Sequence, residues 1–221
     1  MKYATLSLAQ DPGVRHPMHQ FVVEREGFER TRLLGSAVTG GVHTALFHVE
    51  GWPPEPYEDA LSAVGTVEEY ALARQSEGTF SVYVRERLRD SDRELTDALG
   101  RIGLVVLFPV VYRADGTVRV TLVGPGATLQ SALENTPEGV TADVRDIGAY
   151  DARRVGGGRA LTDRQAEAVA AAVDCGYYDD PRAGSVADVA EALGCAPSTA
   201  AEHLRRAERT AMADRVSDRM A

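Results

Sequence analysis

The sequence predicts an α+β protein in two parts. Residues 1–155 form an N-terminal domain of tandem ferredoxin-like (βαββαβ) units, and residues 159–221 an all-α trihelical domain. Three observations carry this expectation. Short runs with alternating apolar and polar residues, separated by helical stretches, fill the N-terminal part, as half-buried strands require. Three consecutive glycines, Gly156, Gly157 and Gly158, then interrupt the pattern and read as a flexible joint. Beyond them apolar residues recur at helical spacing behind two capping signatures.

Element by element, Tyr3 to Ala9 reads as a strand and "HPMHQFVVER" as a short helix or irregular turn. "ERTRLLGSAV" and "HTALFHVEG" read as strands, "PYEDALSAV" as a helix and "TVEEYALARQ" as a strand. The order then begins again: strand "TFSVYVRERL", helix "DRELTDALGRIG", strand "LVVLFPVVYR", strand "TVRVTLVG", helix "ATLQSALENT" and strand "GVTADVRDIG". The Asp115-Gly116 turn between two alternating runs is a hairpin signal. The second half is therefore a β-α-β-β-α-β unit and the first a looser copy. Each is expected to pack two helices on one face of an antiparallel sheet.

In the C-terminal part, Thr162 suits an N-cap with Gln165 at N3, and Ala166, Val169, Ala170 and Val173 give one apolar stripe. Gly176 suits the stop of that helix. Ser185 with Asp188 repeats the cap before Val186, Val189, Ala190 and Leu193, and Gly194 ends the second helix. Pro197 stands where a first-turn proline opens a third helix. Two helices joined by a short glycine-containing turn make a helix-turn-helix unit. At 100° per residue, Ala200, Leu204, Ala207 and Ala211 fall on one buried arc. Ser198, Glu202, Arg205, Arg206 and Arg209 then face outward, with Thr199 and His203 on the flank. The second helix of such a unit enters the major groove of DNA with its N-terminal residues first. Ser198 and Thr199 suit phosphate or base contacts there. Arg205 or Arg206 can take guanine O6 and N7 in a bidentate bond, and Glu202 can accept from cytosine N4. Against this stands the plainer reading that Glu202 and Arg206, four residues apart, are an ion pair on a wet face.

The run "LTDRQAEAVAAAVDCGYYDDPRAGSVADVAEALGCAPSTAAEHLRRAE" resembles the helix-turn-helix domain of archaeal transcription regulators of the bacterio-opsin-activator type. The resemblance lies in Leu161, Thr162 and Gln165, the Gly176-Tyr177-Tyr178 and Pro181-Arg182 connector, Asp188-Val189-Ala190, Leu193-Gly194, Ser198-Thr199, and His203 through Ala207. It implies double-stranded DNA as partner. The candidate DNA contacts are Arg182, Ser198, Thr199, Glu202, His203, Arg205, Arg206 and Arg209. Two positions depart from the pattern. Ala196 stands where related sequences carry a capping Ser, at a cost of about 1 kcal/mol, and Ala200 replaces a larger β-branched residue, which should leave the helix crossing less filled. The "GGVHTALFHVEG" and "LVVLFPVVYR" stretches look, more loosely, like the domain that accompanies it in haloarchaeal members.

Composition sets the surroundings. The chain carries formal net charge -9, and Lys2 is the only lysine among 24 basic residues. Excess acid with almost no lysine suggests a GC-rich genome and a salt-rich cytoplasm, where net negative charge keeps a protein soluble. From residue 159 onward there are eleven acidic and eight basic residues, so even the helical part is acidic. In molar salt the Debye length shrinks to about 3 Å, which screens long-range repulsion from DNA. Counterion release then yields little, and affinity must rest on close arginine contacts and shape. The start "MKYATLSLAQ" has no long apolar core, and "LVVLFPVVY" is too short to span a bilayer. With two cysteines, Cys175 and Cys195, outside any metal or disulfide spacing, a cytoplasmic protein without membrane association is expected.

Little in the N-terminal part points to chemistry. His16, His19, His43 and His48 offer imidazoles, but no carboxylate or cysteine spacing completes a metal set, so ordinary surface or core histidines are expected and no metal or cofactor. "LVGPGATL" resembles a strand–glycine–helix phosphate cradle without a lysine or full fingerprint, and reads as a plain turn. Trp52 sits in a proline-rich loop, as core packing or loop punctuation. No nucleophile–base pair is evident, so an enzyme is not expected. The domain is expected to sense an unidentified small-molecule effector or to hold a homodimer. The competing reading is a ferredoxin-like small-molecule-binding protein whose helical tail serves association, with Met212, Val216 and Met220 as its seam.

Overall fold

The computed structural model describes residues 1–100, 103–150 and 161–220, and of residues 95, 97–100 and 213–220 the backbone alone. The chain folds as two compact units, Met1–Tyr150 and Asp151–Ala221. The expected joint at Gly156–Gly158 lies outside the described residues.

The first unit follows the expected order of elements: β1 (Lys2–Gln10), α1 (Pro17–Glu24), β2 (Phe28–Thr39), β3 (Val42–Gly51), α2 (Glu55–Ser62) and β4 (Val67–Ser76). Then come β5 (Thr79–Arg87), α3 (Asp90–Gly100), β6 (Val105–Arg113), β7 (Thr117–Gly124), α4 (Gly126–Glu134) and β8 (Val140–Ala149). The segment "HPMHQFVVER", weakly periodic in sequence, does form a helix. His16 caps it, its Nδ1 accepting from the Met18 N–H at 3.2 Å, and Pro17 supplies a preset φ at the first position.

All eight strands join one antiparallel sheet in the order β4-β5-β3-β2-β6-β7-β1-β8. Neither repeat closes on itself. β1 lies between β7 and β8, and β5 lies between β3 and β4, so each repeat's first strand pairs within the other half. The β4–β5 hairpin turns through Glu77 and Gly78, which places β5 beside β4 by local pairing. The halves meet where β2 and β6 pair over four positions, Arg30 with Arg113 through Leu33 with Val110. Past Leu33, β2 runs on to Thr39 against β3 alone. The β6–β7 ladder also skips register between Leu107 and Val111, so β6 bends at this point.

Alternation decides which face is buried. Leu6 and Leu8 of β1, Val118, Val120 and Leu122 of β7, and Phe80, Val82 and Val84 of β5 all enter one core. Met18 and Val22 of α1, Tyr57 and Leu61 of α2 and Leu129 of α4 join it. Trp52 is 39% exposed, whereas Tyr57, five residues on, is 3% exposed and stacks among Phe21, Phe28 and Phe80. No helix among the described residues is long and apolar enough to cross a membrane.

The second unit is three helices: α5 (Asp163–Asp174), α6 (Val186–Leu193) and α7 (Pro197–Met220). Both expected capping boxes form. The Gln165 N–H donates to Thr162 Oγ1 while the Thr162 N–H donates to Gln165 Oε1, and Ser185 and Asp188 do the same for α6. The expected α5 stripe is rotated. Ala168 and Ala172 are fully buried, whereas Ala166, Ala170 and Val173 are exposed, Val173 by 59%. In an alanine-rich helix the apolar side is barely marked by residue type, so packing chose the face. The expected α6 set holds, with Val189 and Ala190 buried and Val186 and Leu193 packed against them.

Candidate nucleic-acid interface

The helix-turn-helix unit is built by four local devices. Gly194 ends α6 with φ 63°, a left-handed conformation that favours glycine. Cys195 and Ala196 then lead into α7, where the Thr199 and Ala200 N–H groups donate to Ala196 O at 2.9 and 3.1 Å. Without a side-chain oxygen at Ala196, the carbonyl starts the helix alone. Between α5 and α6 the chain turns so closely that Gly184 leaves no room for a side chain: a Cβ there would sit 2.3 Å from Cys175 O. Arg164 ties α5 to the far end of α6, donating from Nη2 to Leu193 O at 2.9 Å.

This frame sets the rotation of α7. Ala200, Leu204 and Ala207 are buried, as the periodicity requires, while Ala211 is exposed. Ala200 is fully buried together with Ala168, Ala172 and Ala190. The small residue expected to leave the crossing unfilled is thus one of four alanines there, and small side chains let helices approach closely.

The opposite face carries Ser198, Glu202, Arg205, Arg206 and Arg209, all exposed, with Thr199 exposed and His203 half-buried on the flank. The structure therefore brings seven of the eight candidate contacts onto one helix. Arg206 pairs with Glu202 through Nη2 and Oε1, both side chains well exposed. Among the described residues Arg205 and Arg209 have no acidic partner within 4 Å. The pair on a wet face foreseen as the plainer reading is therefore present, but its weight is small. An exposed i,i+4 pair contributes roughly 0.3–0.5 kcal/mol, against about 1–3 kcal/mol for a good bidentate base contact. Such a pair yields to a base without difficulty.

The eighth candidate, Arg182, stands in the α5–α6 connector with its guanidinium 4.2 Å above the Tyr177 ring. Stacking of this kind fixes the direction of an exposed arginine. The next residue of the same motif, Tyr178, donates its hydroxyl to Glu208 Oε1 at 2.8 Å. Partial burial and the neighbouring carboxylate raise its pKa. This bond joins the connector to α7 and was not foreseen. Its sequence signal was the paired tyrosine itself.

In the first unit the structure gathers three of the four histidines. His16 Nε2 and His43 Nδ1 lie 3.2 and 3.4 Å from the two oxygens of Glu86, and His19 Nε2 lies 3.0 Å from Arg113 O. His48 alternates to the other sheet face. Glu86 was not singled out in the sequence, although it continues the inward series Phe80, Val82, Val84 and is itself 7% exposed. Among the described residues no group of three or more His, Cys, Asp or Glu is arranged to hold a metal. The "LVGPGATL" stretch is strand, turn and helix, and the side chain of Lys2 lies against Gly126, where a Cβ would meet it at 3.4 Å.

Comparison with known proteins agrees with this geometry. Residues 161–213 match the family described as HTH DNA binding domain (HTH_10), the bacterio-opsin-activator type. A protein of Haloferax volcanii named "Putative transcriptional regulator" is 45% identical over 49 residues, 22% of this chain and 8% of that protein. The chain thus spans a small fraction of the length of this relative. Residues 16–150, more than half of the chain, match the HVO_0513_N N-terminal family. The chain belongs to the HVO_0513_N family and carries a bacterio-opsin-activator-type helix-turn-helix DNA-binding domain at its C-terminal end.

Proposed function

We propose that this protein is a sequence-specific transcription regulator whose α7 reads the major groove. The exposed arginine face of α7, in a unit of a DNA-binding family, carries the reading. Arg205 and Arg209 are poised for phosphate or guanine, Arg206 is released from Glu202 on contact, and Ser198 and Thr199 lie at the helix start that enters first. Arg182, steadied on Tyr177, reaches the backbone beside them. The unit's excess of acid makes this a short-range interaction suited to high salt, where repulsion beyond a few ångströms is screened. The N-terminal unit senses an effector or holds a homodimer on repeated half-sites. Its sheet reads as two ferredoxin-like halves that have exchanged first strands. The other expected association element, Met212 with Val216 and Met220, is described only at Met212, which is 66% exposed. The protein acts in the cytoplasm and without catalysis.

Selection of promoter fragments by the purified protein in molar KCl tests this. Wild type should enrich a fragment, and Arg205→Ala and Arg206→Ala should each relax the choice by about tenfold or more, the worth of one base contact. Equal enrichment by wild type and both variants would exclude α7 as the reader.

A further inference from the structure

The N-terminal unit encloses a cavity of about 300 Å³ between its helices and its sheet. That is the lower end of the roughly 300–1,000 Å³ typical of small-molecule sites. Carbon forms most of the wall, with Leu33, Phe47, Val82, Val110 and Val120 among its residues. The space lies where β2 and β6 part company beyond Leu33, and lining residues Val38 and Phe108 are exposed at 45% and 37%, marking the mouth.

One end of this apolar space is polar, and two of its groups there have acceptor positions to spare. The Glu86 carboxylate receives one hydrogen bond on each oxygen, from His16 and His43, and a carboxylate offers about four acceptor positions. Burial disfavours its charge, but those two imidazoles outweigh burial and hold the carboxyl at about 2, so it is ionised. His16 uses Nδ1 to accept from the Met18 N–H, which leaves Nε2 to carry the proton toward Glu86. His19 must likewise carry its proton on Nε2, since Nε2 faces the Arg113 carbonyl. Its Nδ1 is then a lone pair, buried and without a partner. Buried polar atoms without partners are rare and call for a ligand or a water. Asp92, the second carboxylate of the wall, is matched by a bidentate bond from Arg89. Among the described residues no lysine or arginine lines the cavity.

We propose that this cavity binds a small apolar molecule bearing a protonated amine, the ammonium seated between Glu86 and His19 and the apolar body running toward Val38 and Phe108. An ammonium brings three donors and the complementary charge to a site with acceptor positions to spare. A carboxylate head would meet lone pairs and negative charge. The binding site gives the sensing role proposed above its chemistry and rests on that reading only for the link to DNA.

Calorimetric titration of the full chain with octylamine, octanol and octanoate at constant high salt and neutral pH tests the assignment. Octylamine should bind roughly tenfold or more tightly than either of the others, the worth of one charge-assisted hydrogen bond. Glu86→Gln should abolish that preference while octanol affinity stays. Val38→Trp, an exposed position at the mouth, should remove binding of all three without changing the thermal unfolding of the protein. Equal binding of amine and acid, or an amine preference that survives in Glu86→Gln, would overturn the assignment. So would the absence of any binding, which would mean that the chain's own side chains fill the space. DNA selection by the same preparation is read separately. Amine binding lost with DNA selection intact overturns this inference alone, and the reverse overturns only the regulator reading.

Discussion

Leu204→Ala is the sharpest perturbation of the DNA-binding unit. Six residues form its buried center, Ala168, Ala172, Val189, Ala190, Ala200 and Leu204, and four of them are alanine. Leu204, 2% exposed, is the largest side chain among them. A buried Leu→Ala change costs about 2–5 kcal/mol. A unit of this size holds only about 3–9 kcal/mol in total, at roughly 0.05–0.15 kcal/mol per residue. The variant should therefore lose between about a quarter and all of the unit's stability. Urea unfolding followed by two probes separates the effects, because Trp52, the single tryptophan, lies in the N-terminal unit and α5, α6 and α7 contribute strongly to the circular dichroism signal. The dichroism transition assigned to the helices should move down by about 2 M urea or more, given a slope near 1 kcal/mol/M. The Trp52 transition should stay in place. An unmoved dichroism transition, or both transitions moving together, would refute the packing argument.

Two further outcomes follow from other contacts. Gly184→Ala should destabilise the same unit at least as strongly, because its Cβ would fall 2.3 Å from Cys175 O and backbone has to move; a dichroism midpoint within error of wild type would contradict this. On acidification, stability of the N-terminal unit should fall in two steps. Burial lowers the His19 pKa below its ordinary 6.5, so the unfolded chain binds that proton more readily and stability present above that pH declines as pH drops below it. Glu86, held at about 2, adds stability that is full above the ordinary carboxylate range and is lost as pH falls toward 2. His19→Gln, which keeps a donor for Arg113 O, should flatten the first step and leave the second, as read by Trp52 fluorescence across pH.

Much of the architecture was legible because each signal was local. Strands announced themselves by alternation, and Thr162 with Gln165 and Ser185 with Asp188 marked helix starts whose hydrogen bonds form as expected. Alternation says which face is buried but not which strand is neighbour. Nothing in "TFSVYVRERL" shows that β5 pairs with β3 rather than within its own repeat. The α5 face was misread because alanine contrasts weakly with its surroundings on both sides of the helix. On α7 the single leucine and the arginines supplied that contrast, and the outward face emerged as expected, Ala211 of the inward arc excepted. The polar end of the cavity joins residues up to 70 positions apart, His16 and Glu86, and only the fold reveals their meeting. A carboxylate on the inward register of an apolar strand was its one trace in the sequence.

Guanine N7 lies in the major groove and can be methylated by dimethyl sulfate, so protection of N7 on the selected promoter fragment reports directly on where α7 sits. With wild-type protein in molar KCl, one or two guanines per half-site should be protected. In Arg205→Ala or Arg206→Ala, protection at one of them should disappear while the others persist. Binding without N7 protection, or protection unchanged in both variants, would contradict the claim that the arginine face of α7 reads the major groove.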